Sequence, residues 1–315
     1  MARRRKGRAV SGWIGLDKPP GLGSTQAVSR VRRAFDAQKA GHAGTLDPLA
    51  DGVLPIALGE ATKTVPYMMD ADKAYNFVIA WGETTATLDR EGEIIARSDV
   101  RPSPEAAAAA LARFVGEIEQ VPPAYSAIKV DGERAYDLAR EGVEVTLAAR
   151  RVLIHSAVVT DAPDADHLEI EIECGKGTYV RALARDLAAA LGACGHVSRL
   201  TRTRVGAFRL DDAIALEKLE GLCDRGDGLE FLFPVETALD DIPALAVTTE
   251  DAFRLSQGRP IVLLPGQIET LRTRLGSADG DGSASRTVLA KAGSLAVAIC
   301  EMRAGALSPL RVFNL

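Results

Sequence analysis

Cysteine is scarce in this chain of 315 residues, and the four present, Cys174, Cys194, Cys223 and Cys300, lie far apart in sequence. That spacing argues against a zinc ribbon and offers no disulfide framework, which leaves buried free thiols as the simplest reading. Histidine is equally sparse. His42, His155, His167 and His196 show no HExxH or other metal spacing, so nothing in the pattern asks for a bound metal. No apolar run reaches the roughly eighteen residues that a membrane span needs. The start, Met1-Ala-Arg-Arg-Arg-Lys-Gly-Arg8, is not followed by the apolar segment of a signal peptide, and the cytoplasm is the expected location. Internal repeats are absent.

What is present is the composition of a globular protein, 47% hydrophobic and 26% charged, at a length that fits about two domains. A net charge of −5 speaks against indiscriminate coating of nucleic acid. The charge is uneven, however. The first eight residues carry five basic side chains and no acid, and Arg199, Arg202, Arg204 and Arg209 follow His196 with no acid among them. A basic stripe on an acidic body suits a specific polyanion, although a disordered tail and a solvated face would give the same composition.

Taken in order, residues 11–18 alternate as a strand that ends at Pro19-Pro20-Gly21, and Ser24 can N-cap a helix reaching about Gln38. The run from Ala74 to Trp81 alternates with Tyr75, Phe77, Ile79 and Trp81 on one face. Ser103-Pro104 opens an alanine-rich helix to about Val115. Residues 121–132 read as a hairpin turning at Asp131-Gly132, followed by a helix over 133–141. Val152 to Thr160 and Leu168 to Cys174 are strand-like. Thr178 can cap a helix with Val180, Leu183, Leu187 and Leu191 as its buried stripe. A change of composition near Ile242-Pro243 marks a boundary, followed by a β-rich unit of about seventy residues. In it Thr249 caps a short helix and residues 276–285 form a Gly/Ser/Asp loop.

Two stretches stand out chemically. In Gly41-His-Ala-Gly-Thr-Leu-Asp47, the carboxylate precedes Pro48, which pushes Asp47 out of the helical region and onto a loop edge. A carboxylate displayed in this way is either a turn residue or a reactive group. In Gly175-Lys-Gly-Thr-Tyr-Val-Arg181, the arginine falls in the first turn of a helix, where the dipole disfavours a cation. A local rule broken in this way often marks a site.

These stretches, together with Leu16-Asp-Lys-Pro-Pro-Gly21, Lys73-Ala-Tyr75 and Tyr125-Ser-Ala-Ile-Lys129, occur in an order that resembles the bacterial tRNA pseudouridine synthase B family. The resemblance runs from about Trp13 to Phe208. It implies an α+β pseudouridine synthase fold, with a mixed, mainly antiparallel central sheet and flanking helices, plus a small C-terminal β-rich PUA-like domain. The implied division is a basic arm over 1–10, a catalytic domain over 11–242 with an RNA-clamping insertion at about 122–150, and an RNA-binding domain over 243–315. The implied activity is isomerisation of uridine 55 in the T loop of tRNA, without cofactor or metal.

By the same resemblance Asp47 is the catalytic carboxylate, Arg181 its cationic partner, and Tyr75 the ring that stacks on the base and the candidate acceptor of its C5 proton. His42 fills the gap left by the flipped uridine. Tyr179 and Leu200 match pocket walls, Lys18 and Lys63 match positions near the substrate or in motif packing, and Arg199, Arg202 and Arg204 match phosphate contacts. The implied partner is the T-arm stem-loop of tRNA, bound by a monomer with no membrane contact and no obligate protein partner. Two competing readings are a catalytically silent tRNA-binding module, which would not need Asp47, Tyr75 and Arg181 together, and a metal-dependent RNA hydrolase, which would need clustered ligands.

Overall fold

The strand with the clearest alternation in the sequence sits in the middle of the larger sheet. In the structure, a computed structural model, residues 7–126, 128–130, 133–136, 143, 145–275 and 286–315 are described. The chain begins with β1 (Gly12–Lys18), α1 (Ser24–Ala34), β2 (Ala40–His42), β3 (Asp51–Leu58), α2 (Val65–Asp70) and β4 (Lys73–Trp81). Next come the hairpin β5 (Glu83–Thr85) and β6 (Ile94–Arg97), α3 (Pro104–Leu111), β7 (Gly116–Gln120), and the short pair β8 (Lys129–Val130) and β9 (Glu133–Arg134). They are followed by β10 (Arg150–Asp164), β11 (His167–Cys174), α4 (Val180–Ala190), β12 (Gly195–Val205), β13 (Phe208–Arg209), β14 (Ile214–Ala215) and α5 (Leu216–Arg225). The last part holds β15 (Ala244–Ala246), α6 (Thr249–Ser256), β16 (Ile261–Val262), α7 (Pro265–Leu275), β17 (Thr287–Ala292), β18 (Leu295–Arg303) and β19 (Ala306–Val312).

Ten strands form one sheet in the order β14-β1-β3-β12-β4-β11-β10-β7, with β13 beside β12 and β2 beside β3. It is mixed and mainly antiparallel, only β1/β14 and β3/β12 being parallel. One face is covered by α1, α3, α4 and α5, whose apolar residues (Val31, Leu111, Leu183, Leu187, Leu219) pack on Ile14, Ile56, Phe77, Ile79 and Ile170. The second sheet, β15-β17-β18-β19-β16, carries a core of its own around Leu255, Leu271 and Cys300. A third apolar cluster joins the two sheets, with Trp13, Phe208 and Leu239 against Leu289, Ile299 and Phe313. The cysteines are free thiols, and burial pushes Cys174 up to about 11 and Cys300 up to about 12. Among the described residues no helix is long and apolar enough to cross a membrane.

Several local expectations shift. α1 is capped at Gly23, and it stops at Ala34 because Asp36 turns to a φ of 47°. Tyr179 and Thr248 are the N-cap residues of α4 and α6, each displaced by one residue from the threonine expected. Among the elements not anticipated are the strands β3, β7 and β12 and the helices α2, α5 and α7. β12 replaces what reads in the sequence as a basic stripe. Residues 1–6 of the arm, most of the expected helix over 133–141 and the loop 276–285 lie outside the described residues, whereas Glu133–Arg134, expected to open that helix, form β9.

Candidate active site

The backbone around Asp47 is held from outside at nearly every residue. Ser24, 5% exposed, donates its hydroxyl to the Leu46 carbonyl (2.7 Å) and accepts the Leu46 N–H (2.9 Å). Its side chain serves this loop instead of capping α1. Arg202 donates to the carbonyls of Gly44 (3.2 Å) and Thr45 (3.3 Å). The Pro48 carbonyl accepts from the Gly21 N–H (2.7 Å) and the Lys18 ammonium (3.4 Å). Asp47 itself closes a turn, its carbonyl accepting from the Ala50 N–H (3.1 Å). The turn geometry expected from Asp47-Pro48 is therefore the means of presenting the carboxylate.

That carboxylate meets Arg181, with Nη2 to Asp47 Oδ2 at 2.9 Å. Arg181 leads from the first turn of α4 into a crevice where its side chain is 6% exposed. Its Nη1 approaches Asp89 Oδ2 (3.3 Å) and donates to the Thr87 carbonyl (2.8 Å), while Nη2 also donates to the Tyr125 carbonyl (3.0 Å). Asp89 was not singled out from the sequence. It is 3% exposed, and Oδ1 accepts from the Thr87 hydroxyl (2.5 Å) and the Glu91 N–H (3.0 Å). Leu88 beside it holds a φ of 63°, which is unusual for a bulky side chain and places Thr87 and Asp89 against the guanidinium. A buried cation flanked by two carboxylates and two carbonyls explains how an arginine is tolerated at a helix start.

The ion pair stands between two hollows. One, of about 270 Å³, is lined by Leu46, Asp47, Tyr75, Tyr179, Arg181 and Leu200 among others. The other, of about 710 Å³, includes His42, Asp47, Asp89, Glu91, Tyr125 and Arg181. Burial raises the Tyr75 phenol above its ordinary value of 10.0, partly opposed by the charge of Arg202 and by a hydrogen bond from it. The Tyr179 backbone is clamped by the buried Gln120 side chain, which accepts its N–H (2.8 Å) and donates to its carbonyl (3.2 Å). The Arg150 guanidinium lies 4.9 Å from the centre of the Tyr179 ring. The Leu200 side chain, 5% exposed, closes the wall. The lining of the smaller hollow includes the rings of Tyr75 and Tyr179 and a single carboxylate, Asp47, a combination that fits a planar ring attached to a sugar.

The TruB family pseudouridylate synthase (N-terminal domain) model matches residues 32–180, and the tRNA pseudouridylate synthase B C-terminal domain model matches residues 181–240. Curated relatives named tRNA pseudouridine synthase B are 69% identical in Caulobacter sp. (strain K31) and 67% identical in Caulobacter vibrioides, each over 100% of both chains. This chain belongs to the TruB family. It is accordingly a tRNA pseudouridine synthase, an RNA-modifying isomerase. The fold is similar to that of a solved Cbf5-Nop10-Gar1 complex, with a TM-score of 0.70 at 23% identity, covering 96% of this chain and 84% of that one. An H/ACA RNP bound to a substrate RNA containing 2'-deoxyuridine gives a TM-score of 0.72 at 21% identity, covering 100% and 92%.

Against the TruB expectations, the structure brings Asp47, Tyr75, Arg181, Tyr179 and Leu200 to one hollow and His42 to its neighbour. The basic residues fall elsewhere. Arg202, expected at phosphates, is 1% exposed and turned inward onto carbonyls, so it cannot meet RNA at the surface. Lys18 is fully buried, its ammonium on the carbonyls of Pro19 and Leu22 (2.8 Å each), and burial lowers its pKa to about 8. This is the packing half of its expected role. Lys63 pairs with Glu60 (2.5 Å) and donates to the Val312 carbonyl (2.7 Å), away from both hollows. Arg199 and Arg204 reach across β4 to Glu169 and Glu173 of β11.

Proposed function

We propose that this enzyme converts uridine 55 in the T loop of tRNA to pseudouridine, with Asp47 as the carboxylate that acts on the sugar. The observation that carries the reading is the 2.9 Å pair between Asp47 and Arg181 in the lining of a hollow that Tyr75, Tyr179 and Leu200 also line. The target uridine leaves the loop's stack at a cost of a few kcal/mol, and the His42 ring, in the adjoining hollow, fills the vacated space. Tyr75 stacks on the base. Asp47 attacks or stabilises the reacting centre as the N1–C1′ bond breaks. The detached uracil turns, C5 bonds to C1′, the C5 hydrogen leaves as a proton and N1 gains one. Atoms and electrons balance without a redox partner or cofactor.

Arg181 holds the carboxylate in place through the 2.9 Å ion pair. Tyr75 remains the candidate for the C5 proton, but a phenol whose pKa burial has raised is protonated at neutral pH, which favours its stacking role. Residues 1–10 and about 122–150 hold the RNA, and residues 243–315 serve as a PUA-like RNA-binding domain. The enzyme acts as a single chain. The test is tRNA carrying tritium at C5 of uridine 55. Wild-type enzyme should release the label from that position, while Asp47→Asn should lose at least about 10³-fold in rate. Label release by Asp47→Asn at the wild-type rate would sink the assignment.

A further inference from the structure

We propose that Arg202 is a positioning residue for the isomerisation, fixing the Asp47 loop and the Tyr75 side chain in one relation to each other. The proposal rests on the roles given above to Asp47 and Tyr75. Its guanidinium donates to Val53 O through Nε (2.8 Å), to Thr45 O through Nη1 (3.3 Å) and to Gly44 O through Nη2 (3.2 Å). Gly44 and Thr45 lead into Asp47, and Val53 lies in β3 just after it, so one planar group closes the loop at its base. The same residue faces Tyr75 directly across β12 and β4, both side chains line the same hollow, and the charge of Arg202 bears on the phenol. A guanidinium fixed on the loop carbonyls therefore also sets the surface against which the Tyr75 side chain rests.

The backbone is built to turn this side chain inward. The pairing of β12 with β4 shifts register on both sides, between Val197 and Arg199 and between Arg202 and Arg204. Such bulges re-aim side chains beside sites. On the other flank, Gly52 lets β3 approach closely, because a Cβ there would stand 2.3 Å from the Arg202 carbonyl oxygen. The hydrogen-bond partners of the buried guanidinium are backbone carbonyls. A fully buried cation of this kind is costly for a role that an apolar side chain could fill by packing. Lysine could not replace it, since its three donors diverge from one point whereas the arginine fork reaches several fixed acceptors in a plane.

The test uses the full chain with C5-tritiated tRNA under single-turnover conditions, with tRNA affinity and thermal melting measured on the same preparations. Arg202→Met should slow the single-turnover step by about 10²-fold, the effect of a reacting group displaced by about 1 Å. Affinity for tRNA should stay within about threefold, because the residue does not touch RNA. Arg202→Lys should recover part of the rate and still fall about tenfold short. Combined with Tyr75→Phe, the loss should be smaller than the product of the single losses by at least about fivefold, the mark of groups acting as a unit. A wild-type single-turnover rate in Arg202→Lys, a loss confined to tRNA affinity, or independent effects with Tyr75→Phe would each overturn the proposal. If Arg202→Met does not fold, the lysine variant and its cycle with Tyr75→Phe carry the test. Asp47→Asn run in parallel separates the two readings. An active Asp47→Asn removes the site assignment, whereas an inactive one beside an unimpaired Arg202→Lys removes this inference alone.

Discussion

Arg181 and Arg202 line the same hollow at 5% and 1% exposure, and their partners are opposite in kind. Arg181 sits between two carboxylates, Asp47 and Asp89, so its charge is cancelled within a few ångströms. Arg202 is satisfied by carbonyl dipoles, and its charge is felt by its neighbours. It adds to burial in lowering His42, Lys18 and Lys73 and works against burial at Tyr75. The first arginine is a counter-ion and the second a frame. Burial alone does not distinguish them; the partners do.

The comparison breaks most visibly at Arg181. Arg181→Met leaves Asp89 buried without its cation, and breaking such a pair costs about 3–5 kcal/mol. Urea unfolding should show that loss together with abolished tritium release. Adding Asp89→Asn removes the orphaned charge, so Arg181→Met/Asp89→Asn should regain much of the stability and none of the activity. A double variant as unstable as the single one would mean that Arg181 is held by packing and not by charge.

A smaller effect tests the reach of Arg202. Burial first and Arg202 second hold the His42 imidazole below its ordinary 6.5, with the Gly44 backbone opposing. Just below pH 6.5 the unfolded chain binds a proton that the folded chain does not, so stability falls as pH drops into that window. Melting curves between pH 7 and pH 5.5 should steepen this way in the wild type and flatten in His42→Gln. An unchanged slope in His42→Gln would assign the effect to another group. Lys63 gives the smallest effect and mixes both kinds of partner, a carboxylate (Glu60) and a carbonyl (Val312). Glu60 also accepts the Asn314 N–H (2.8 Å). Lys63→Met should cost about 1 kcal/mol and speed protease cleavage near Asn314.

Where one face of a strand meets the core and the other meets solvent, the pattern was readable. In β11, Leu168, Ile170 and Ile172 alternate with three glutamates, and the strand is where the alternation puts it. β12 was not readable because two register shifts break the period and because a buried arginine looks the same in sequence as an exposed one. α7 begins on Pro265 and buries only Leu271 fully, which leaves a weak helical signal. At the site, Asp47, Tyr75 and Arg181 were legible as motifs. Asp89 was not, because its partner lies 92 positions away and only the Thr87–Asp89 turn is local. Ser24 shows the opposite failure. Its residue type predicted a cap, and its hydroxyl instead bonds a loop 22 residues on.

The placement of the Asp47–Arg181 pair has a consequence for inhibition. Both hollows count Thr45, Leu46, Asp47, Ser126 and Arg181 among their walls, so the pair is a partition between a chamber of about 270 Å³ and one of about 710 Å³. On the proposed reading, a small compound confined to the narrow chamber would compete with the base alone. One confined to the wide chamber meets Asp89, Glu91 and Glu93 and calls for a cationic group there. Joining the two requires a linker that passes over a carboxylate without displacing its guanidinium. Selectivity over other uracil-binding proteins would therefore come from the crossing, where size and charge requirements change within one molecule.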